Sequence, residues 1–184
     1  LPGHDHVHLE ADLATEAGVK VVVDFIQSER CHLLVNNAGY SLMKPFYETS
    51  LEQQRRVLQV NCDALVSLSH AFLRQAEAGD ALINVASVVA FMPTPAQAMY
   101  SASKAFIASF SECLWEEQRH RGIYVMALCP GITKTEFIQT ATEGESDGEK
   151  LPSALTQSSE DVVKEALKAL RKRKQAVVVS GRVN

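Results

Sequence analysis

Tyr100 and Lys104 stand four residues apart in the stretch YSASK, directly after the proline-broken run FMPTPAQAM. On a helix that spacing puts both side chains on one face. A phenol is a poor acid at neutral pH, with a reference pKa of about 10. A neighbouring ammonium favours the phenolate and lowers that value, which makes the tyrosine a usable proton donor and acceptor. Ser87 lies thirteen residues before the tyrosine, at the end of the apolar run ALINVAS. Its hydroxyl, presented from a strand end, can hold a carbonyl oxygen beside the phenol. The three together supply what the interconversion of an alcohol and a ketone needs at oxygen. The tyrosine–lysine pair by itself fits the start of any amphipathic helix equally well, so the rest of the chain decides.

Asn61 is a fourth candidate. Leu51, Leu58, Leu65 and Phe72 recur at seven-residue intervals along one helical segment, a core-facing stripe. Asn61, three residues beyond Leu58, falls on the same side. A buried amide without partners costs roughly 1–3 kcal/mol, so backbone, water or a ligand must satisfy it.

The elements that position these residues alternate. HVHLEAD (His6 to Asp12) is expected to form a strand and Ala14 to Glu29 a helix. HLLVNNAG (His32 to Gly39) has the pattern of a strand buried on both faces. Thr49 or Ser50 can cap a helix running to about Ala76. A strand at Ala81 to Ser87, a helix from Tyr100 to Arg119 and a strand at Ile123 to Gly131 follow. Ser158 or Ser159 opens a further helix that ends in cations matched to its dipole, and Gln175 to Gly181 forms a last strand. Strands separated by helices imply crossovers and an α/β, doubly wound parallel sheet covered on both faces. Ligands of such sheets bind outside the carboxyl ends of the strands. Those ends carry Asp12, then Asn36-Asn37-Ala38-Gly39, then Ser87, then Pro130-Gly131.

Composition narrows the function class. The 184 residues are 46% apolar and 22% charged, with a formal charge of -4, an ordinary globular mix with no basic field for nucleic acid. No apolar run is as long as a membrane span. Cys31, Cys62, Cys113 and Cys129 are scattered in apolar or helical contexts without metal-site spacing. They are expected to be reduced, buried thiols of a reducing, cytoplasmic compartment. His4, His6 and His8 share one face of HDHVH, but no carboxylate or cysteine stands at ligand spacing, so no metal is assigned. LRKRK (Leu170 to Lys174) is read as a helix end, and the acidic stretch from Thr140 to Gln157 as a solvated loop.

Taken in order, NNAG (Asn36 to Gly39), Asn61, Ser87, YSASK and PGITKTEF (Pro130 to Phe137) resemble the short-chain dehydrogenases/reductases, over nearly the whole chain. The wording from Tyr100 to Phe137 is most similar to bacterial ketone or ketoacyl reductases of that family. The resemblance implies a Rossmann-like fold, NAD or NADP as cofactor, a small carbonyl or alcohol substrate, and a homo-oligomer joined through the two long helices. Within it, Tyr100 is the general acid/base, and Lys104 depresses its pKa and binds the nicotinamide ribose. Ser87 polarises the carbonyl, and Asn61 holds a water that relays protons to Lys104. Asp12 and Leu13 border the adenine. Asn37, Ala38 and Gly39 line the adenosine ribose. Pro130, Gly131, Thr133 and Thr135 pack on the carboxamide and pyrophosphate, although Thr133 departs from the aliphatic residue common at its position. The acidic loop lies where the family closes over substrate.

One departure is large. The family opens with a strand and a glycine-rich turn that hold the pyrophosphate, and none of the nine glycines here form that fingerprint. Residues 1–184 are therefore expected to be a single, partial domain truncated at both ends. Two readings remain: an oxidoreductase whose parent supplies the missing parts, or a non-catalytic remnant or regulatory module that keeps the scaffold.

Overall fold

Runs rich in Leu, Val and Ile form four strands: β1 (Leu33–Asn36), β2 (Ala81–Val85), β3 (Tyr124–Pro130) and β4 (Val177–Ser180). The computed structural model describes residues 6–133, 137, 141 and 156–181. The strands pair in parallel in the order β1-β2-β3-β4. Leu33 lies opposite Ala81, Ala81 opposite Tyr124, and Leu128 opposite Val178. Among the described residues there are five α-helices, α1 (Glu16–Ser28), α2 (Leu51–Leu58), α3 (Ala64–Gln75), α4 (Ala98–Gln118) and α5 (Ser159–Lys172); α1 precedes β1 and the other four lie in the connections between strands. A parallel ladder needs such crossovers.

The helix starts are fixed by local chemistry. Thr15 Oγ1 accepts from the Gly18 N–H at 3.0 Å. A Cβ on Gly18 would stand 2.1 Å from the Asp12 carbonyl oxygen, so only glycine fits there. Ser50 and Gln53 form a reciprocal capping box on α2. Ser158 Oγ accepts from the Asp161 N–H at 3.1 Å and starts α5.

Register sorts the core into two faces. Ala81, Ile83, Tyr124, Met126 and Val178 pack against Val162 and Ala166 of α5. On the opposite face Leu82 and Val125 meet Ile26 of α1 and Phe72 of α3, and Ala127 and Cys129 meet Ile107 of α4. The sheet is thus wound on both sides, as expected of a Rossmann-like fold. Among the described residues no helix is long and apolar enough to cross a membrane.

Four expectations are corrected. His6 to Asp12 is not a strand: its backbone pairs with no other strand, and alternation of residue types makes no ladder without a neighbour to accept its hydrogen bonds. β1 is not buried on both faces, because it is the edge of the sheet among the described residues; Leu33 and Val35 are 39% and 46% exposed. The seven-residue stripe holds only in its second half. Leu65 and Phe72 are buried, but Leu51 and Leu58 are exposed, and Gln54 and Val57 face inward instead. A π-helical turn at Gln59–Asp63 separates the halves. Its extra residue rotates the upstream positions relative to the downstream ones. The four cysteines are all free, yet only Cys129 is fully buried; Cys31 and Cys62 are half-buried and Cys113 is exposed.

Candidate active site

The buried face of α4 is unusually polar for a helix that packs on a sheet. Tyr100, Ser103, Lys104 and Ser111 all lie on it, each shielded from solvent. Buried polar groups need partners, and β2 with its following turn supplies most of them. Asn84 Nδ2 donates to Ser111 Oγ at 2.9 Å. Lys104 Nζ donates to the Val85 carbonyl at 2.8 Å. Ser87, just past the strand end, lies close enough to the Tyr100 phenol to pull its pKa down. These two bridges hold the strand and the helix in one register, which brings the predicted serine, tyrosine and lysine together.

Asn61 joins them from the π-turn. It is fully buried. Its Nδ2 donates to the Tyr40 carbonyl at 3.0 Å and to Ser103 Oγ at 2.9 Å, while its Oδ1 accepts from the Tyr40 N–H at 2.8 Å. Ser103 Oγ in turn donates to the Tyr100 carbonyl at 2.7 Å. The amide is therefore occupied in tying the loop after β1 to the first turn of α4. Gly39 crosses directly above: an added Cβ would stand 3.5 Å from Lys104 Nζ and 3.7 Å from Asn61 Oδ1. A longer side chain would grow across the ammonium, so the bare backbone keeps that approach open.

Burial governs the electrostatics. It pushes the Tyr100 phenol up to about 12, with the Ser87 hydroxyl pulling against it. Burial also brings the Lys104 ammonium down to about 8, opposed by the nearby Cys62 and Cys129 thiols. Desolvation lifts both thiols in turn to about 11. Lys104 Nζ lies 5.5 Å from the centre of the Tyr100 ring, and in this chain desolvation outweighs any lowering of the phenol by the ammonium.

The remaining predicted positions are distributed around this centre. Asn37, Ala38 and Gly39 are exposed at the carboxyl end of β1. Pro130 ends β3, the Gly131 N–H donates to the Ser180 carbonyl at 3.0 Å, and Thr133 Oγ1 donates to the Gly131 carbonyl at 3.0 Å. Thr135 lies outside the described residues. Asp12 and Leu13 sit apart, at the entry to α1. Asp12 accepts from the Ala14 N–H at 2.9 Å and pairs with Arg56 at 3.3 Å.

The sequence gives no role to Tyr40 or Ser103, and includes Asn36 and Phe137 only as the ends of NNAG and PGITKTEF. Asn36 Nδ2 donates to Ser69 Oγ and Asn84 Oδ1, at 3.0 and 2.9 Å, as an internal brace. Ser103 lies one turn from Tyr100 inside YSASK, and that spacing was the available signal. The Phe137 ring meets that of Tyr100 at 5.5 Å. Nothing local to Tyr40 or Phe137 marks either residue.

The family model for short chain dehydrogenases matches residues 2–146. This chain belongs to that family. It is 32% identical over 140 residues to sulfoacetaldehyde reductase 2 of Chromohalobacter salexigens, a match covering 73% of this chain and 56% of that protein. It is 29% identical over 168 residues to 17-beta-hydroxysteroid dehydrogenase type 3 of Rattus norvegicus, covering 87% and 51%. This short-chain dehydrogenase thus spans about half the length of those curated relatives. Among solved structures it resembles a short-chain dehydrogenase from Sphingobium yanoikuyae in complex with NADPH. The TM-score is 0.83 at 28% identity, over 96% of this chain and 68% of that one.

Proposed function

We propose that this chain carries the acid–base centre of an NAD(P)-dependent oxidoreductase that interconverts an alcohol and a ketone. The observation behind this reading is the convergence of Ser87, Tyr100 and Lys104 at the end of β2, with Lys104 held by the Val85 carbonyl and the neighbouring Ser103 held by Asn61. The NADPH bound to the Sphingobium enzyme supports the cofactor class, and NAD or NADP fits the groups present. Lys104 and Tyr100 would hold the nicotinamide ribose, under the bare backbone of Gly39. Asn37 and Ala38 would meet the adenosine ribose, and Asp12 and Leu13 the adenine. Pro130, Gly131, Thr133 and Thr135 would meet the carboxamide and pyrophosphate.

A bound nicotinamide dinucleotide supplies or accepts the hydride. In the reducing direction Ser87 Oγ and the Tyr100 phenol hold the carbonyl oxygen from two sides. The Tyr100 phenol would give its proton to that oxygen, so that the ketone leaves as the alcohol and the tyrosine is left as phenolate. Lys104 stabilises the resulting phenolate and returns a proton to it, a task suited to an ammonium of pKa about 8. Asn61 fixes the helix on which both residues ride. We place the enzyme in the cytoplasm: Cys31, Cys62, Cys113 and Cys129 are all free, as a reducing compartment keeps them.

The second reading is a scaffold without turnover, towards which burial of the Tyr100 phenol points by raising its pKa rather than lowering it. Tyr100→Phe in the complete enzyme separates the two. Turnover should fall at least about a hundredfold, the lower end for a positioned acid–base group, with nicotinamide affinity barely changed. Lys104→Ala should weaken both. Near-normal turnover in Tyr100→Phe refutes the catalytic reading.

A further inference from the structure

From Ala81 to Ser103 the chain contains no charged residue and no histidine. The middle of that span is the turn connecting Ser87 to Tyr100, and there it is exposed rather than core. Phe91 and Met92 are 58% and 54% exposed, and Pro93, Pro95, Ala96 and Ala98 are open to solvent beside them. Uncharged chain is ordinary inside a protein, but on a surface turn charge and polarity are the rule. Here apolar surface is concentrated where the crevice of a parallel sheet lies.

This surface joins Ser87 to Tyr100 along the chain, and two further features lie beside it. Phe137 lays its ring against the phenol of Tyr100, tilted 43° at 5.5 Å. An aromatic wall therefore stands on the group that would meet the substrate oxygen. Ala96 holds φ at 61°, a left-handed conformation that an alanine adopts only under constraint. Such strain is found where a turn must keep a particular shape.

The cation inventory points the same way. Lys104 is the first charged residue after Asp80, and its Nζ is committed to the Val85 carbonyl. Neither the turn nor the first turn of α4 has a positive group to pair with a carboxylate, sulfonate or phosphate on a substrate. Burying such an anion without a partner is strongly unfavourable, whereas an apolar group gains from the contact.

We infer that the substrate carries a bulky apolar group, aromatic or alicyclic, beside its carbonyl or carbinol carbon, and that this group lies on Phe91 and Met92 against the ring of Phe137. The inference rests on the reading of Ser87 and Tyr100 as an alcohol–ketone site and specifies which ketones it takes.

The four methionines allow a test by binding that needs no turnover. With 13C-methyl-labelled methionine, the chain is titrated with acetophenone and, separately, with pyruvate as a short anionic ketone. Acetophenone should move the Met92 methyl signal saturably, and pyruvate should leave it in place. Phe91→Ser and Phe137→Ala should each weaken the acetophenone response at least threefold. Met126, wholly buried between the sheet and α5, reports whether each variant stays folded. No saturable shift with acetophenone overturns the inference, as does an equal response to pyruvate. A Met92 signal that moves with protein concentration instead identifies a second copy of the chain as the occupant and also overturns it. Saturable acetophenone binding without turnover in the complete enzyme, given cofactor, would keep the apolar binding surface but refute the catalytic reading, and with it the description of the ligand as a substrate.

Discussion

Asn61 donates a hydrogen bond across 2.9 Å to Ser103, and so fastens the π-turn to the helix that carries Tyr100 and Lys104. Because the same amide also closes on both backbone groups of Tyr40, one side chain determines how three segments meet. The geometry makes it a positioning residue, acting on the phenol through Ser103 and the first turn of α4.

Asn61→Ala leaves the Tyr40 N–H and carbonyl and the Ser103 hydroxyl without their partner. Each unsatisfied buried group costs about 1–3 kcal/mol, and water can reach half-buried Tyr40. The expected loss of unfolding free energy is therefore about 2–3 kcal/mol, read by urea denaturation. Unchanged stability would show that the three bonds contribute nothing net.

Lys104 and Tyr100 give stability a definite pH profile. The folded Lys104 pKa of about 8 lies below its unfolded value of 10.5. Between those values the unfolded chain binds the extra proton, so stability rises with pH from about 8 to 10.5. Tyr100 acts oppositely: its folded value of about 12 lies above the unfolded 10.0, so stability falls as pH rises through that interval. Lys104→Met should stabilise the chain at pH 7, and that gain should shrink above pH 8. Thermal denaturation from pH 7 to 10 tests this, and a gain that grows with pH would contradict it.

We expect the complete protein to assemble as a homo-oligomer through α3 and α4. Phe106 and Phe110 stack at 5.6 Å on an outward face of α4, next to exposed Cys113. Val66 and Leu73 of α3 line a groove of about 430 Å³ with Phe110 and Leu114. Sedimentation at micromolar concentration should show a dimer or tetramer. A monomer there would argue against assembly, and assembly that survives Phe110→Glu would move the contact elsewhere.

These 184 residues alone should bind NADH or NADPH weakly and catalyse nothing measurable. No glycine-rich turn is present in the sequence to cradle a pyrophosphate, and the open edge of β1 exposes Leu33 and Val35 to mispairing. Fluorescence titration with NADH checks the first point. Tight binding would mean that another segment replaces the turn.

The sequence was most legible where local chemistry decides structure. Thr49 or Ser50, and Ser158 or Ser159, announce their helices, and the structure selects Ser50 and Ser158 as the caps, because capping is a matter of a few neighbouring residues. β2 and β3 stand out because central parallel strands are apolar throughout. His6 to Asp12 misled because pairing depends on a neighbour that alternation does not reveal. Leu51 and Leu58 misled because a π-turn leaves no trace in residue type. At the site, family resemblance and order brought Ser87, Tyr100, Lys104 and Asn61 together, and the structure places them so. The pKa of Tyr100 was read in the wrong direction, since the Tyr–Lys spacing carries the sign of a neighbour's charge but not the depth of burial that outweighs it.

The π-turn at Gln59–Asp63 also constrains how this segment can change length. An α-helix advances about 100° per residue, so deleting one residue there would restore regular hydrogen bonding and swing everything on one side of the cut by that angle. If the downstream half keeps its grip on the sheet, Gln54 and Val57 leave the interior. If the upstream half holds, Leu65 and Phe72 do. Asn61 sits at the junction and loses either Tyr40 or Ser103. Apart from Asn61, substitution can be tolerated in this stretch, but its residue count cannot drift: a more regular helix and a correctly aimed amide require different numbers of residues.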